Sequence, residues 1–321
     1  MQTFNELVAD FSRRFSVASF PAEPSSLYDP IRYFLSLGGK RVRPVLCLMA
    51  NELFGDLSED AYEAAIAIEL FHNFTLVHDD IMDAATLRRG METVHKKYGS
   101  NTALLSGDVM LIACYEHLNR IQAKHIHRIL SLFNRTTTEV CEGQQLDIDF
   151  EKEETVSPEE YINMIALKTS VLLAASLEMG AILGGASEGN CRQLYAFGKN
   201  LGIAFQVQDD YLDAFGDASI VGKEIGGDIR QNKKTFLLIR ALEVLPAPGR
   251  NALQELMRSD DPGKVAKVLQ IFRECGADQW ARELKDRYLQ AALRNLEDIA
   301  VLSVRKKPLT ELASFLVQRD Y

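Results

Sequence analysis

Two acidic runs share one pattern. Asp79-Asp80-Ile81-Met82-Asp83 and Asp209-Asp210-Tyr211-Leu212-Asp213 both read DDxxD, and each closes a strongly apolar stretch. On a helix, residues four apart stack on one face, with roughly 5–6 Å between their Cβ atoms. Asp79 with Asp83, and Asp209 with Asp213, then form like-charged pairs that cost a bare helix about 0.2–0.5 kcal/mol each. A hard divalent cation between the carboxylates reverses that sign. Mg²⁺ suits such a site, because it keeps several waters and takes one or two carboxylates together with phosphate oxygens. A single copy would read as a solvated acidic face. Two copies, each ending a buried helix where acids must find partners or neutralise, point instead to cation-holding groups that could face each other across one cavity.

The sequence also supplies cations at separated places. Arg88-Arg89-Gly90 follows Asp83 by five residues, and adjacent guanidinium forks suit bidentate contact with phosphate. Gly38-Gly39-Lys40-Arg41-Val42-Arg43-Pro44 is a second basic cluster, with glycines that permit close backbone approach. Lys168-Thr169 sits in an apolar helix, where an unpaired ammonium would be costly. Lys223 lies in, and Lys233 follows, Phe215–Gly227, a polar glycine-rich tract that reads as a mobile loop and candidate lid. Each cluster alone is a weak signal; the combination of two acid runs and several basic sites is not.

These groups must be positioned by helices. Apolar residues recur at steps of three and four, and alternation of period two is almost absent. Ser58 can cap a helix over 59–82, with Glu59 and Asp60 in its first turn and Ala61, Ala64, Ala65, Ile68, Phe71 and Phe74 along one face. Further helices are predicted near 3–15, 28–53, 101–122, 124–147, 158–185, 189–214, 231–245, 250–258, 262–273, 276–300 and 308–319. Gly (20) and Pro (9) are sparse over 321 residues, which favours long helices. No composition shift marks a boundary, so the expectation is one all-α domain over 1–321, a large helical bundle around a central cavity.

Net charge is −9, from 36 basic and 45 acidic residues, which argues against a nucleic-acid surface. Five scattered cysteines without a CxxC pair read as reduced, buried packing thiols, and with no signal-like N-terminus the expected location is the cytoplasm. The apolar run Val171–Ala186 is too short to span a bilayer and reads as a buried helix.

The ordered set GGKRVRP (38–44), DDIMDAATLRRG (79–90), GQQLD (143–147), KTS (168–170), FQVQDDYLD (205–213) and GKEIGGDIRQNKKT (222–235) resembles the polyprenyl synthetase family, the trans-isoprenyl diphosphate synthases. The resemblance implies the type I isoprenoid synthase fold, a homodimer, and Mg²⁺-dependent head-to-tail condensation of isopentenyl diphosphate with an allylic diphosphate. Position by position, it implies that Asp79, Asp80 and Asp83 serve two Mg²⁺, and Asp209, with Asp210 and Asp213, a third. It places Arg88, Lys168, Lys223 and Lys233 on the allylic diphosphate, and Lys40, Arg43, His72 and Arg89 on isopentenyl diphosphate. Thr169 and Gln206 lie beside the developing carbocation, and released diphosphate takes the final proton. His78 and Asp108 read as structural.

The growing chain is expected to run back along the helix that ends at Asp79, so residues one or two turns earlier set its limit. Phe74 is five before Asp79, Thr75 four and Phe71 eight. In the family, a bulky residue at the fifth position alone resembles the C20 pattern, so geranylgeranyl diphosphate is the expected product and farnesyl diphosphate the alternative. A class I terpene cyclase shares an acid cluster but carries an Asn/Ser/Glu-type second motif and lacks GGKRxRP. A non-catalytic helical subunit is disfavoured by the intact acid motifs.

Overall fold

The computed structural model describes residues 1–15, 20–216 and 225–317. Helices dominate, and they begin where the sequence supplies caps. Helix α1 (Phe4–Arg14) opens on a capping box in which Thr3 and Glu6 satisfy each other's backbone N–H. Helices α2 (Ser25–Ser36) and α3 (Val42–Phe54) follow, then α4 (Glu59–Met82), where the Ser58 hydroxyl accepts the Ala61 N–H at 3.2 Å. Along α4, Ala61, Ala64, Ala65, Ile68 and Phe71 are buried as the periodicity requires, whereas Phe74 is only half-buried.

The sequence predicts one helix over 28–53, and the structure corrects this. Gly38 (φ 73°), Gly39 (φ 151°) and Arg41 (φ 52°) leave the right-handed region and separate α2 from α3. A short hairpin, β1 (Leu87–Arg88) with β2 (Met91–Glu92), was not predicted; two-residue strands are too short to show alternation. The helix α5 (Val94–Tyr98) precedes α6 (Ser100–Leu118) and α7 (Ala123–Phe150).

The predicted helix 158–185 is α8 (Pro158–Ile165) and α9 (Val171–Leu183), joined by a π-helical turn at Ala166–Ser170. Within this stretch an 18-residue window is apolar enough to cross a membrane by composition, yet 78% of it is buried inside the protein. Then come α10 (Glu188–Phe215), α11 (Gly227–Arg230), α12 (Phe236–Val244), α13 (Ala247–Arg258), α14 (Lys264–Glu274), α15 (Ala277–Glu297) and α16 (Ser303–Val317). Cys47, Cys114 and Cys191 are buried as expected, and burial pushes the Cys47 thiol up to about 12. Cys141 departs from that expectation and is exposed.

The chain forms two compact units, one of residues 1–134 and 175–192, the other of residues 135–174 and 193–321. In the first, α3 lies so close to α9 that Asn51 Nδ2 donates to the Gly180 carbonyl at 3.3 Å. In the second, Phe236, Leu253, Val268, Phe272 and Ala277 belong to one apolar core that supports α10 and α11.

Candidate active site

The first unit holds the basic motif 38–44, the first acid motif and Arg88-Arg89. The left-handed N-cap Arg41 turns the chain into α3, and its guanidinium pairs with Glu69, which is 2% exposed on α4. Asn73 donates to the same Glu69 carboxylate at 3.0 Å. Sequence reading missed this pair; its one trace is a glutamate inside an otherwise apolar helix face.

Arg89 donates to the Gly38 carbonyl, joining the two basic motifs. A Cβ at Gly39 would lie 3.0 Å from Arg89 Nη2, so glycine is required there by both its φ and the close guanidinium. Arg43 Nη1 sits 3.3 Å from His72 Nε2. Arg43, His72 and Arg89 are therefore brought together, while Lys40 is exposed nearby in sequence. Burial holds the His72 pKa well below the usual histidine range, and Arg43, Arg89, Arg88 and Arg41 depress it further. Burial lowers Arg43 to about 10, and its Nε is buried without a partner. Arg41, Arg43 and Arg89 thus gather positive charge around His72, with buried Glu69 as the counter-charge among them.

The neutral imidazole has a consequence for stability. Because the folded pKa of His72 lies below its unfolded value of about 6.5, the unfolded chain binds the proton more readily. The contribution is complete above that value and falls by up to about 1.4 kcal/mol per pH unit below it. Denaturant unfolding at pH 7.5 and 5.5 is expected to show a shallower loss for His72→Gln than for wild type; equal losses would contradict the buried neutral form.

Asp79 is half-buried and Asp83 exposed at the end of α4. Asp80 is 1% exposed, and Arg88 places both Nε and Nη2 2.7 Å from its Oδ1. Its Oδ2 is buried with no partner. Arg88 thus lies on Asp80 of the first acid motif. Phe74 stacks edge-on against His78 at 4.6 Å and tilts against Phe71 at 5.6 Å. Phe71 is fixed in the core by Phe133 at 5.6 Å, and Thr75 turns its hydroxyl onto the His72 carbonyl at 2.8 Å.

In the second unit, the π-helical turn sets Lys168 and Thr169 off the regular helix repeat, which local periodicity does not reveal. Lys168 Nζ meets Asp147 Oδ2 at 2.5 Å, joining KTS to GQQLD. Thr169 Oγ1 donates to Gln206 Oε1 at 3.2 Å, and Gln206 Nε2 donates to Asp210 Oδ1 at 3.1 Å. The Tyr161 hydroxyl donates to Asp210 Oδ2. Asp210 is buried, and that burial pushes its pKa up to about 8, with Asp228 and Asp209 adding to the effect. Asp209 is exposed. Asp213 Oδ2 accepts the Asp228 N–H at 3.0 Å and so fastens the start of α11. Lys233 is exposed, its Nζ 3.9 Å from Asp228 Oδ1. Lys223 lies outside the described residues.

Among the described residues no three His, Cys, Asp or Glu side chains gather as a closed metal cage. The donor set nevertheless fits Mg²⁺, which needs few carboxylates when phosphate oxygens complete its shell. The two i,i+4 aspartate pairs and the unpartnered, buried Asp80 Oδ2 are hard oxygen donors of that kind.

A family model for polyprenyl synthetase matches residues 24–275. A geranylgeranyl pyrophosphate synthase of Geoglobus acetivorans is 40% identical over 306 residues, covering 93% of this chain and 92% of that one. A geranylfarnesyl diphosphate synthase of Natronomonas pharaonis is 34% identical over 319 residues, covering 93% and 92%. A crystal structure of a geranylgeranyl pyrophosphate synthase superposes with a TM-score of 0.94 at 44% identity, covering 99% of both chains. With its basic, acidic and lysine motifs so arranged on an all-α scaffold, this chain belongs to the polyprenyl synthetase family of trans-prenyltransferases.

Proposed function

We propose that the protein makes geranylgeranyl diphosphate by adding isopentenyl diphosphate to an allylic diphosphate, with three Mg²⁺ ions. The observation that carries this reading is the convergence of Arg43, neutral His72 and Arg89 beside a helix that ends in DDxxD and carries Phe74 one turn earlier. Asp79 and Asp83, with Asp80, hold cations in one unit; Asp209, helped by Asp210 and Asp213, holds one in the other.

Bound Mg²⁺ supplies Lewis-acid charge to the departing diphosphate. Arg88, Lys168 and Lys233, with Lys223 of the glycine-rich tract, hold the allylic diphosphate. The Thr169 hydroxyl and Gln206 amide oxygen present dipoles to the allylic cation, and Asp210 and Tyr161 hold Gln206 in place. Arg43, Arg89, Lys40 and His72 hold isopentenyl diphosphate; a neutral imidazole there accepts or donates one hydrogen bond without adding charge. Asp213 also accepts the Asp228 N–H. A homodimer in the cytoplasm completes the reading.

Phe74 sets the C20 limit. It is half-buried and braced by His78 and Phe71, whereas Phe71 is already committed to the core and Thr75 is small. Chromatography of products from dimethylallyl, geranyl and farnesyl diphosphates is expected to show a C20 end point with each primer. Phe74→Ala is expected to shift the main product to C25 or longer, and an unchanged C20 end point would defeat this assignment. A main C15 product from wild type would favour the farnesyl alternative.

A further inference from the structure

Lys264 belongs to none of the motifs above, yet it reaches the segment that carries Lys233. It is the first residue of α14 and is 7% exposed. Its Nζ donates to Asn232 Oδ1 at 2.6 Å and to the carbonyl of Met257, in the last turn of α13. Both acceptors are neutral. The positive end of its own helix disfavours a lysine there, and the carbonyl end of α13 offsets this.

Asn232 is the point of interest. It has φ 57°, the left-handed region that asparagine tolerates better than other residues with a Cβ, and it directly precedes Lys233. The backbone around it is closed by Asn232 N to the Ile229 carbonyl at 3.2 Å and Lys233 N to the Asp228 carbonyl at 2.9 Å. Asp228 is in turn held by Asp213. Lys234 is separately fixed on the carbonyls of Phe150, Glu151 and Glu153. Lys233 therefore leaves a turn whose side-chain anchor is the Lys264–Asn232 hydrogen bond.

We propose that Lys264 is a positioning residue for Lys233: through Asn232 it fixes the left-handed turn and so sets affinity for the allylic diphosphate. This rests on the assignment of Lys233 to that diphosphate. The group acts on binding, so loss of the anchor raises KM more than it lowers kcat.

Steady-state kinetics with farnesyl diphosphate varied test the inference on full-length Lys264→Met, Asn232→Gly, Lys233→Ala and the Lys233→Ala/Lys264→Met double variant. Asn232 is exposed, and glycine keeps the left-handed turn, so that variant loses only the anchor. Lys264→Met is expected to raise KM for farnesyl diphosphate about 5- to 20-fold with kcat within about threefold. Asn232→Gly is expected to do the same. In the Lys233→Ala background, Lys264→Met is expected to add less than about twofold, because the two changes remove one interaction. The inference is overturned if neither Lys264→Met nor Asn232→Gly moves that KM, or if the Lys264 effect persists undiminished without Lys233. If Lys233→Ala alone leaves KM unchanged, the assignment of Lys233 fails and the inference with it.

Discussion

Alanine at Asp79, or at Asp209, is expected to lower kcat by about a thousandfold, or about 4 kcal/mol in the barrier. The reaction separates an allylic cation from a diphosphate, so its barrier depends on how well the protein compensates the leaving charge. Asp79 is half-buried at the end of α4, one turn before exposed Asp83, and Asp209 is the exposed leader of the second motif. On the reading proposed above, each change removes a carboxylate that holds a cation, and neither residue is as deeply buried as Asp80 and Asp210. The folded state is therefore expected to survive, with circular dichroism and Tm near wild type. Single-turnover rates with farnesyl diphosphate and labelled isopentenyl diphosphate measure the loss directly. A change below about tenfold in either variant would show that its carboxylate has no part in the chemistry.

Gly143→Ala is expected to be damaging for a different reason. A Cβ at Gly143 would lie 2.3 Å from the Lys168 backbone nitrogen and 2.7 Å from the Leu167 carbonyl carbon. Backbone cannot swing aside as a side-chain end can, so α7 and the π-helical turn must separate. Overpacking of this kind costs about 3 kcal/mol, and roughly 4–6 °C in Tm for a chain of this size. The same displacement moves Lys168 from Asp147 and Thr169 from Gln206, so activity falls in the fraction that still folds. Gly189→Ala is the control, since its Cβ would meet only the Ser187 hydroxyl at 3.9 Å. Calorimetry that found the two variants equally stable would contradict the close approach.

Much of this site was legible in the sequence, because its parts are local. The i,i+4 aspartates need only helix geometry, and Ser58 caps α4 as its type and position require. The contacts that orient those parts were not legible, because they join residues far apart in the chain. Arg41 finds Glu69, Arg89 finds the Gly38 carbonyl, and Arg88 is drawn onto Asp80. Spacing carries no record of such pairs. The break between α2 and α3 did leave a mark, since Gly38-Gly39 is a chain-breaking pair inside the span read as one helix. The π-helical turn is a single extra residue in a helix of good propensity, which leaves no compositional mark. Asp213 matches its motif in type, and its contact with the Asp228 N–H is one that motif spacing does not record.

The central claim is that this chain ionises an allylic diphosphate with divalent cations and joins it to isopentenyl diphosphate. The most direct measurement incubates purified protein with farnesyl diphosphate and labelled isopentenyl diphosphate, with Mg²⁺ or with excess chelator, and follows label in chromatographed prenyl products. Label in a C20 product with Mg²⁺, abolished by chelator and restored by added Mg²⁺, is the expected result. Incorporation that continues in chelator, or none with Mg²⁺ present, would contradict the account.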